Sequence, residues 1–323
     1  MKAVVARELC GPSGLAYTDV DDIADEVEDA VVIDVQAAGV CFPDLLMTRG
    51  EYQLKVPPPF VPGTEVAGVV RSAPCGSGHQ PGDQVAAFTM LGGFAERVAV
   101  PPTSVVATPD GLDACEAAAL LGNYYTMYFA LARRGALRPG ETVLVLGSAG
   151  GIGTAAVQLA KALGAKVIAA VHRASAVDYV SSLGADLVVP LTEGWLQVVR
   201  DHTGGRGVDM VVDPVGGEVF DDAVRALRTE GRLLVVGFAA GGIPTIKVNR
   251  LLLRNVGVIG VAWGEFLAKN PDAFDLFGFG LRQLVAAGLK PPPPVQLPLS
   301  RAGEALQRLA DGGVMGKLVL EPR

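Results

Sequence analysis

The residues in this chain with the clearest capacity for chemistry form a glycine-rich string. Gly147-Ser148-Ala149-Gly150-Gly151-Ile152-Gly153 follows an apolar run, Thr142–Leu146, and opens a helical pattern from Thr154. Such a turn between a strand and a helix lets the backbone approach a pyrophosphate, which then sits on the positive end of the helix. Gly153 lets the helix pack closely on the strand, while Ala149 stands where the simplest G-x-G-x-x-G pattern expects its second glycine. Ser148 to Gly153 are therefore the candidate phosphate-binding residues. The next apolar run, Lys166–Val171, is followed by His172-Arg173, with no acid until Asp178. An acid at that tip would grip the ribose hydroxyls and repel a 2′-phosphate, whereas Arg173 pairs with one. The expected cofactor is NADPH rather than NADH, with His172 and Arg173 at its phosphorylated ribose.

The other reactive residue types are scattered. Cys10, Cys41, Cys75 and Cys115 form no C-x-x-C pair, and His79, His172 and His202 are equally isolated. No spacing builds a disulfide framework or a zinc knuckle, so no metal is expected. Cys10, Cys75 and Cys115 read as small apolar fillers. Without a Ser–His or Cys–His pairing, covalent chemistry has no carrier. Asp213-Pro214 shapes a turn after the fourth of the strands below. Gly237 and Phe238 end the fifth, where a doubly wound sheet places its ligand crevice, with core packing as the alternative reading.

The elements that position these residues alternate regularly after Glu141. Strand-like runs at Thr142–Leu146, Lys166–Val171, Asp186–Val189, Val208–Val212, Arg232–Gly237 and Val256–Ala262 are separated by helical patterns. That alternation implies βαβ units in a doubly wound, six-stranded parallel sheet of the α/β class. The first hundred residues read instead as short strands (Val4–Ala6, Ala30–Ala37, Glu65–Val70, Gln84–Phe88, Ala95–Val100) broken by Gly and Pro turns, a β-rich module. After the sixth strand come a helix (Pro271–Ala287), the spacer Pro291–Pro294, a helix (Ser300–Ala310) and a strand (Lys317–Leu320), a tail expected to rejoin the β-rich module. The expected domains are 1–120 with 265–323, and 121–264 inserted between them.

Composition agrees. Half of the 323 residues are hydrophobic and 19% are charged, with 41 Gly and 22 Pro, as many short buried strands require. Such a chain is not intrinsically disordered. A net charge of −7 with no basic block argues against nucleic acid. Mean hydropathy is +0.37, yet no apolar run approaches the about 20 residues of a membrane span. Arg7 and Glu8 fall where a signal peptide would be apolar, so the expected location is the cytoplasm.

Taken together, Ala37-Ala-Gly-Val-Cys-Phe-Pro-Asp-Leu-Leu46, Pro62-Gly-Thr-Glu-Val-Ala-Gly68, Gly92-Gly-Phe-Ala-Glu96, Glu116-Ala-Ala-Ala-Leu120, the glycine loop, the segments from Gly207 to Gly217 and from Gly231 to Phe238, and Gly316-Lys-Leu-Val-Leu320 make the chain resemble a known family. It is the zinc-independent NADPH:quinone oxidoreductases of the medium-chain dehydrogenase/reductase superfamily. The resemblance implies a GroES-like β-rich domain at both chain ends around a Rossmann domain. It also implies hydride transfer from NADPH to quinones or α,β-unsaturated carbonyls. Cys41 and Thr126 would lie near the nicotinamide, Tyr52 on the substrate side, and Lys317 near the cofactor. In the zinc dehydrogenases the position of Cys41 is a zinc ligand, that of Thr64 a histidine, and a third ligand falls near Leu121–Asn123. Here Thr64 and its surroundings lack them, and one thiolate cannot hold tetrahedral zinc. Quinone reductases usually carry Asn where Cys41 stands, and Cys41 cannot donate equivalently. Ala176 and Leu191 replace a Lys and a Tyr of the family's phosphate pocket, leaving Arg173 as its charge. Two alternatives stay open: an enoyl-thioester reductase, and a non-catalytic NADPH-binding protein. The apolar sixth strand, at the sheet's edge, is expected to pair with its copy in a homodimer.

Overall fold

The computed structural model describes Met1–Pro322. The chain divides into two units, Met1–Gly122 with Lys269 onward, and Asn123–Ala268.

In the first unit the strands are β1 (Lys2–Ala6), β2 (Leu15–Asp19), β3 (Val31–Val40), β4 (Glu65–Ser72), β5 (Gln84–Phe88), β6 (Arg97–Val100) and β7 (Val105–Ala107). In the second they are β8 (Thr142–Val145), β9 (Lys166–Val171), β10 (Leu187–Pro190), β11 (Val208–Asp213), β12 (Leu227–Val235) and β13 (Gly257–Gly260); β14 (Val295–Pro298) and β15 (Leu318–Glu321) return to the first.

The second unit is a parallel sheet in the order β10-β9-β8-β11-β12-β13. Every residue of β8 and β11 is buried, as strands covered on both faces require. This is the doubly wound α/β fold read from the alternation. Strand β13 lies at the open edge.

The first unit is a β-rich, GroES-like module, its larger sheet running β14-β15-β3-β4-β5-β7 with β6 also on β3. Strand β3 is buried except at Asp34 and the exposed Gln36, and Val31, Ile33, Val66, Val85, Phe94 and Leu318 share one apolar core. Antiparallel pairing of β15 with β3 sets Leu318 opposite Val40, and pairing of β4 with β3 sets Glu65 opposite Gly39.

Several details depart from the sequence expectations. The strands β2, β7 and β14 and the helix Phe42–Thr48 are additional to the expected elements. They are short, and β14 begins directly after a proline run and ends on Pro298, which a sheet tolerates at its edge. The fifth strand ends at Val235, not Gly237. Val236 still donates to the Asp213 carbonyl, and beyond it Ala239 and Ala240 hydrogen-bond the carbonyls of Pro214 and Val215 in a loop. Gly237 and Phe238 therefore lie in a loop past the strand's C-terminal end, with Phe238 exposed. Cys10 and Cys75 are exposed rather than fillers. Each directly precedes a glycine of positive φ, Gly11 (+79°) or Gly76 (+81°), and so lies at a turn. Among the described residues no helix is long and apolar enough to cross a membrane.

Candidate active site

Strand register assembles a buried polar cluster at one end of the first unit's sheet. Extending the β15–β3 pairing by one residue sets Lys317 beside Cys41, 276 positions away in sequence, with Nζ donating to Sγ at 3.1 Å. Glu65, the first residue of β4, pairs its carboxylate with the Lys317 ammonium and accepts from the Cys41 thiol at 3.1 Å. Its other oxygen accepts the backbone N–H of Gly122. Glu65 is fully buried and Lys317 only 7% exposed. Gly39 makes room for this: a Cβ there would stand 2.4 Å from Glu65 Oε1.

Cys41 also caps the helix Phe42–Thr48. Its N–H donates to the Asp44 carboxylate at 2.7 Å, while the Asp44 N–H donates to its carbonyl at 3.1 Å. Asp44 is completely buried, and its Oδ1 has no hydrogen-bond partner. Burial drives its pKa up from 3.8 to about 7, against the opposing pull of the Cys41 N–H and of Lys317. Burial likewise pushes the Cys41 thiol well up, helped by Glu65 and opposed by Lys317. Burial works against the Lys317 charge, but the Glu65 carboxylate and the hydrogen bond to Cys41 Sγ outweigh it, so this lysine holds its proton above the ordinary range.

The sequence singled out Cys41 and Lys317 without placing them in contact, and it missed Glu65 and Asp44. A signal was present: each is a lone charge in an apolar stretch, Thr64-Glu-Val-Ala-Gly68 and Phe42-Pro-Asp-Leu-Leu46. A charge so placed is buried only with a partner. The Lys317 ammonium pairs with the Glu65 carboxylate and donates to Cys41 Sγ inside this cluster. Tyr52 is half-buried elsewhere in the same unit, its ring against the cluster of Ala6, Met47 and Phe60. Among the described residues no group of three His, Cys, Asp or Glu side chains is arranged to hold a metal ion.

In the second unit the glycine string forms the turn from β8 into the helix Gly151–Ala162, whose cap position, Gly150, offers no side chain to the free N–H groups. Gly147 adopts φ +59°, a conformation suited to glycine. A Cβ on Gly153 would fall 2.2 Å from the Gly147 carbonyl oxygen, so the helix and turn approach as closely as a phosphate-binding turn demands. The Ser148 hydroxyl is turned inward, donating to Val145 O at 2.7 Å. Strand β9 ends at Val171, leaving His172 and Arg173 exposed beyond its tip. The Asp213 carboxylate ends β11 and accepts the N–H groups of Val215 (2.9 Å) and Gly216 (2.8 Å). Burial raises its pKa despite those bonds. Thr126 opens a short helical turn between two π-helical segments and is half-buried.

Comparison with known proteins gives a consistent result. Residues 27–110 match the family described as alcohol dehydrogenase GroES-like domain, and residues 151–277 that described as zinc-binding dehydrogenase. The chain is 33% identical over 328 residues to quinone oxidoreductase-like protein 2 homolog of Nematostella vectensis, covering 100% of this chain and 89% of the relative. Among solved structures it is similar to a probable oxidoreductase from Mycobacterium abscessus, with 61% identity, a TM-score of 0.93 and coverage of 100% and 99% of the two chains. It is also similar to the quinone oxidoreductase from Thermus thermophilus, solved also in complex with NADPH, with 36% identity, a TM-score of 0.85 and coverage of 99% and 100%.

Proposed function

Because the chain belongs to the zinc-independent quinone oxidoreductase family of the medium-chain dehydrogenases/reductases, we propose that it transfers hydride from NADPH to quinones or α,β-unsaturated carbonyls. The observation that carries this reading is the glycine turn on the first strand of the parallel sheet. The residues present fit a dinucleotide: the backbone of Ser148–Gly153 would hold the pyrophosphate, with Gly147 and Gly153 allowing the close approach. Arg173 would pair with the 2′-phosphate, beside His172 and with no carboxylate at the strand's end. Gly237 and Phe238, past the C-terminal end of β12, stand on the ligand-binding edge of such sheets.

When bound, NADPH supplies the hydride, and the protein's part is orientation and the handling of charge. In this reading the Tyr52 hydroxyl donates a hydrogen bond to the substrate carbonyl, with Cys41 and Thr126 lining the reacting region. A quinone or enone spreads the negative charge that hydride transfer develops, so it needs little electrophilic assistance. That suits a site whose buried ammonium, Lys317, is already neutralised by Glu65. The free edge of β13, with Val258 and Ile259 along it and Leu252 and Leu253 exposed nearby in sequence, supports pairing with a second copy. Four free cysteines support a cytoplasmic location.

The test is NADPH consumption with 1,4-benzoquinone, 9,10-phenanthrenequinone and crotonyl-CoA in parallel. Saturable turnover of the quinones supports the reading. Turnover of crotonyl-CoA alone would make the protein an enoyl-thioester reductase, and NADPH binding without turnover of any acceptor would make it a non-catalytic binder.

A further inference from the structure

In the reading above, Cys41 is a cysteine that lines a site for electrophiles. Quinones and α,β-unsaturated carbonyls are Michael acceptors. A thiolate sulfur adds its electron pair to the β-carbon, a C–S bond forms, and the resulting enolate takes up a proton. The thiolate performs this addition, not the thiol. A cysteine exposed to such substrates as thiolate would be consumed by them.

The surroundings of the sulfur oppose that form. Sγ lies between two fixed charged groups, with Glu65 Oε1 and Lys317 Nζ each at 3.1 Å. The cluster holds one cation, Lys317, and Glu65 already matches it. A thiolate would add an uncompensated negative charge beside the fully buried Glu65, at the high cost of an unpaired buried ion. Nor does the hydrogen pass to the carboxylate, since an ordinary thiol holds its proton about four decades more tightly than an ordinary carboxyl group. The Gly122 backbone also lies against the sulfur, where a Cβ would sit 3.1 Å from Sγ. Cys10 and Cys75, by contrast, are exposed.

We propose that Glu65 and Lys317 clamp Cys41 as a neutral thiol, Glu65 accepting its hydrogen and Lys317 donating to its sulfur, and thereby protect the site from alkylation by the electrophiles it handles. The clamp follows from the geometry of this cluster, and its protective purpose rests on the quinone and enone reading above. Glu65 is the residue that decides the state. In Glu65→Gln the amide N–H and the Lys317 ammonium both face the sulfur as donors, and the thiolate becomes the anion that Lys317 lacks.

The experiment uses the full-length protein and N-ethylmaleimide at neutral pH, with each cysteine followed by peptide mass spectrometry. In the wild type, Cys10 and Cys75 should be alkylated and Cys41 should lag at least about tenfold behind them. In Glu65→Gln, Cys41 alkylation relative to Cys75 should rise by at least about tenfold, the gain in thiolate from a fall of one pKa unit. Wild-type Cys41 reacting as fast as Cys10 and Cys75, or an unchanged rate in Glu65→Gln, would overturn the proposal. A second measurement does not depend on that variant folding: the S–H infrared stretch of a Cys10→Ser, Cys75→Ser, Cys115→Ser background. A band displaced by hydrogen bonding and persisting from neutral to mildly alkaline pH is expected, and its absence would overturn the clamp. Neither readout needs turnover, so a protein that passes both yet reduces no quinone or enone keeps the clamp and loses the functional reading.

Discussion

Replacing Asp44 with Asn tests whether the carboxyl beneath the candidate site is protonated by burial. Asp44 is completely buried, one oxygen accepts the Cys41 N–H, and the other has no partner. Its pKa of about 7 lies above the 3.8 of an ordinary aspartate, a difference worth about 4 kcal/mol at about 1.4 kcal/mol per pKa unit. The sign follows from proton linkage. The folded state binds a proton that the unfolded state releases, so this contribution is present at low pH and is lost as pH rises from about 4 through about 7. About 3 kcal/mol of the loss should develop between pH 4.5 and 8. Asn keeps a carbonyl oxygen for the Cys41 N–H and does not titrate. Urea unfolding of both proteins across that range should therefore show Asp44→Asn gaining on the wild type by about 3 kcal/mol as pH rises. Parallel pH–stability curves would refute the reasoning, because they would mean that Asp44 has the same affinity for its proton in both states.

Three further predictions concern the cluster and the cofactor. Lys317→Met should cost about 3–5 kcal/mol by leaving Glu65 buried without its cation, and Glu65→Gln combined with Lys317→Met should recover much of that loss; denaturant melts of the full cycle measure the coupling. Arg173→Ala should weaken NADPH binding by about tenfold, near 1.4 kcal/mol, and leave NADH binding unchanged, as read by cofactor fluorescence titration. Tyr52→Phe should lower quinone kcat without altering the NADPH Kd, and unchanged steady-state kinetics would remove Tyr52 from the reaction.

The second unit was readable from sequence because its organising signals are local. A two-face-buried strand such as Val208-Asp-Met-Val-Val-Asp213 is a short apolar block, and the glycines of the turn from β8 stand next to the strand and helix they join. The buried cluster was not readable, for a physical reason. Cys41, Glu65 and Lys317 meet only because β15 and β4 flank β3 in one particular register. Register of that kind depends on the folded sheet and leaves no spacing pattern in the chain. What remained visible was the isolated charge in an apolar setting, at Asp44 and Glu65. The misreading of Cys10 and Cys75 has the same root, since cysteine is usually buried and the turns at Gly11 and Gly76 overrode that preference.

Hydride transfer from NADPH to an electron-poor quinone or enone is tested most directly by NADPH oxidation with 1,4-benzoquinone, comparing NADPH with NADPH deuterated at the transferred hydrogen. The proposed chemistry predicts saturable steady-state oxidation, and a rate that falls when deuterated NADPH is used under single-turnover conditions. NADPH that binds but is not oxidised above the buffer rate by 1,4-benzoquinone, 9,10-phenanthrenequinone or crotonyl-CoA would contradict it.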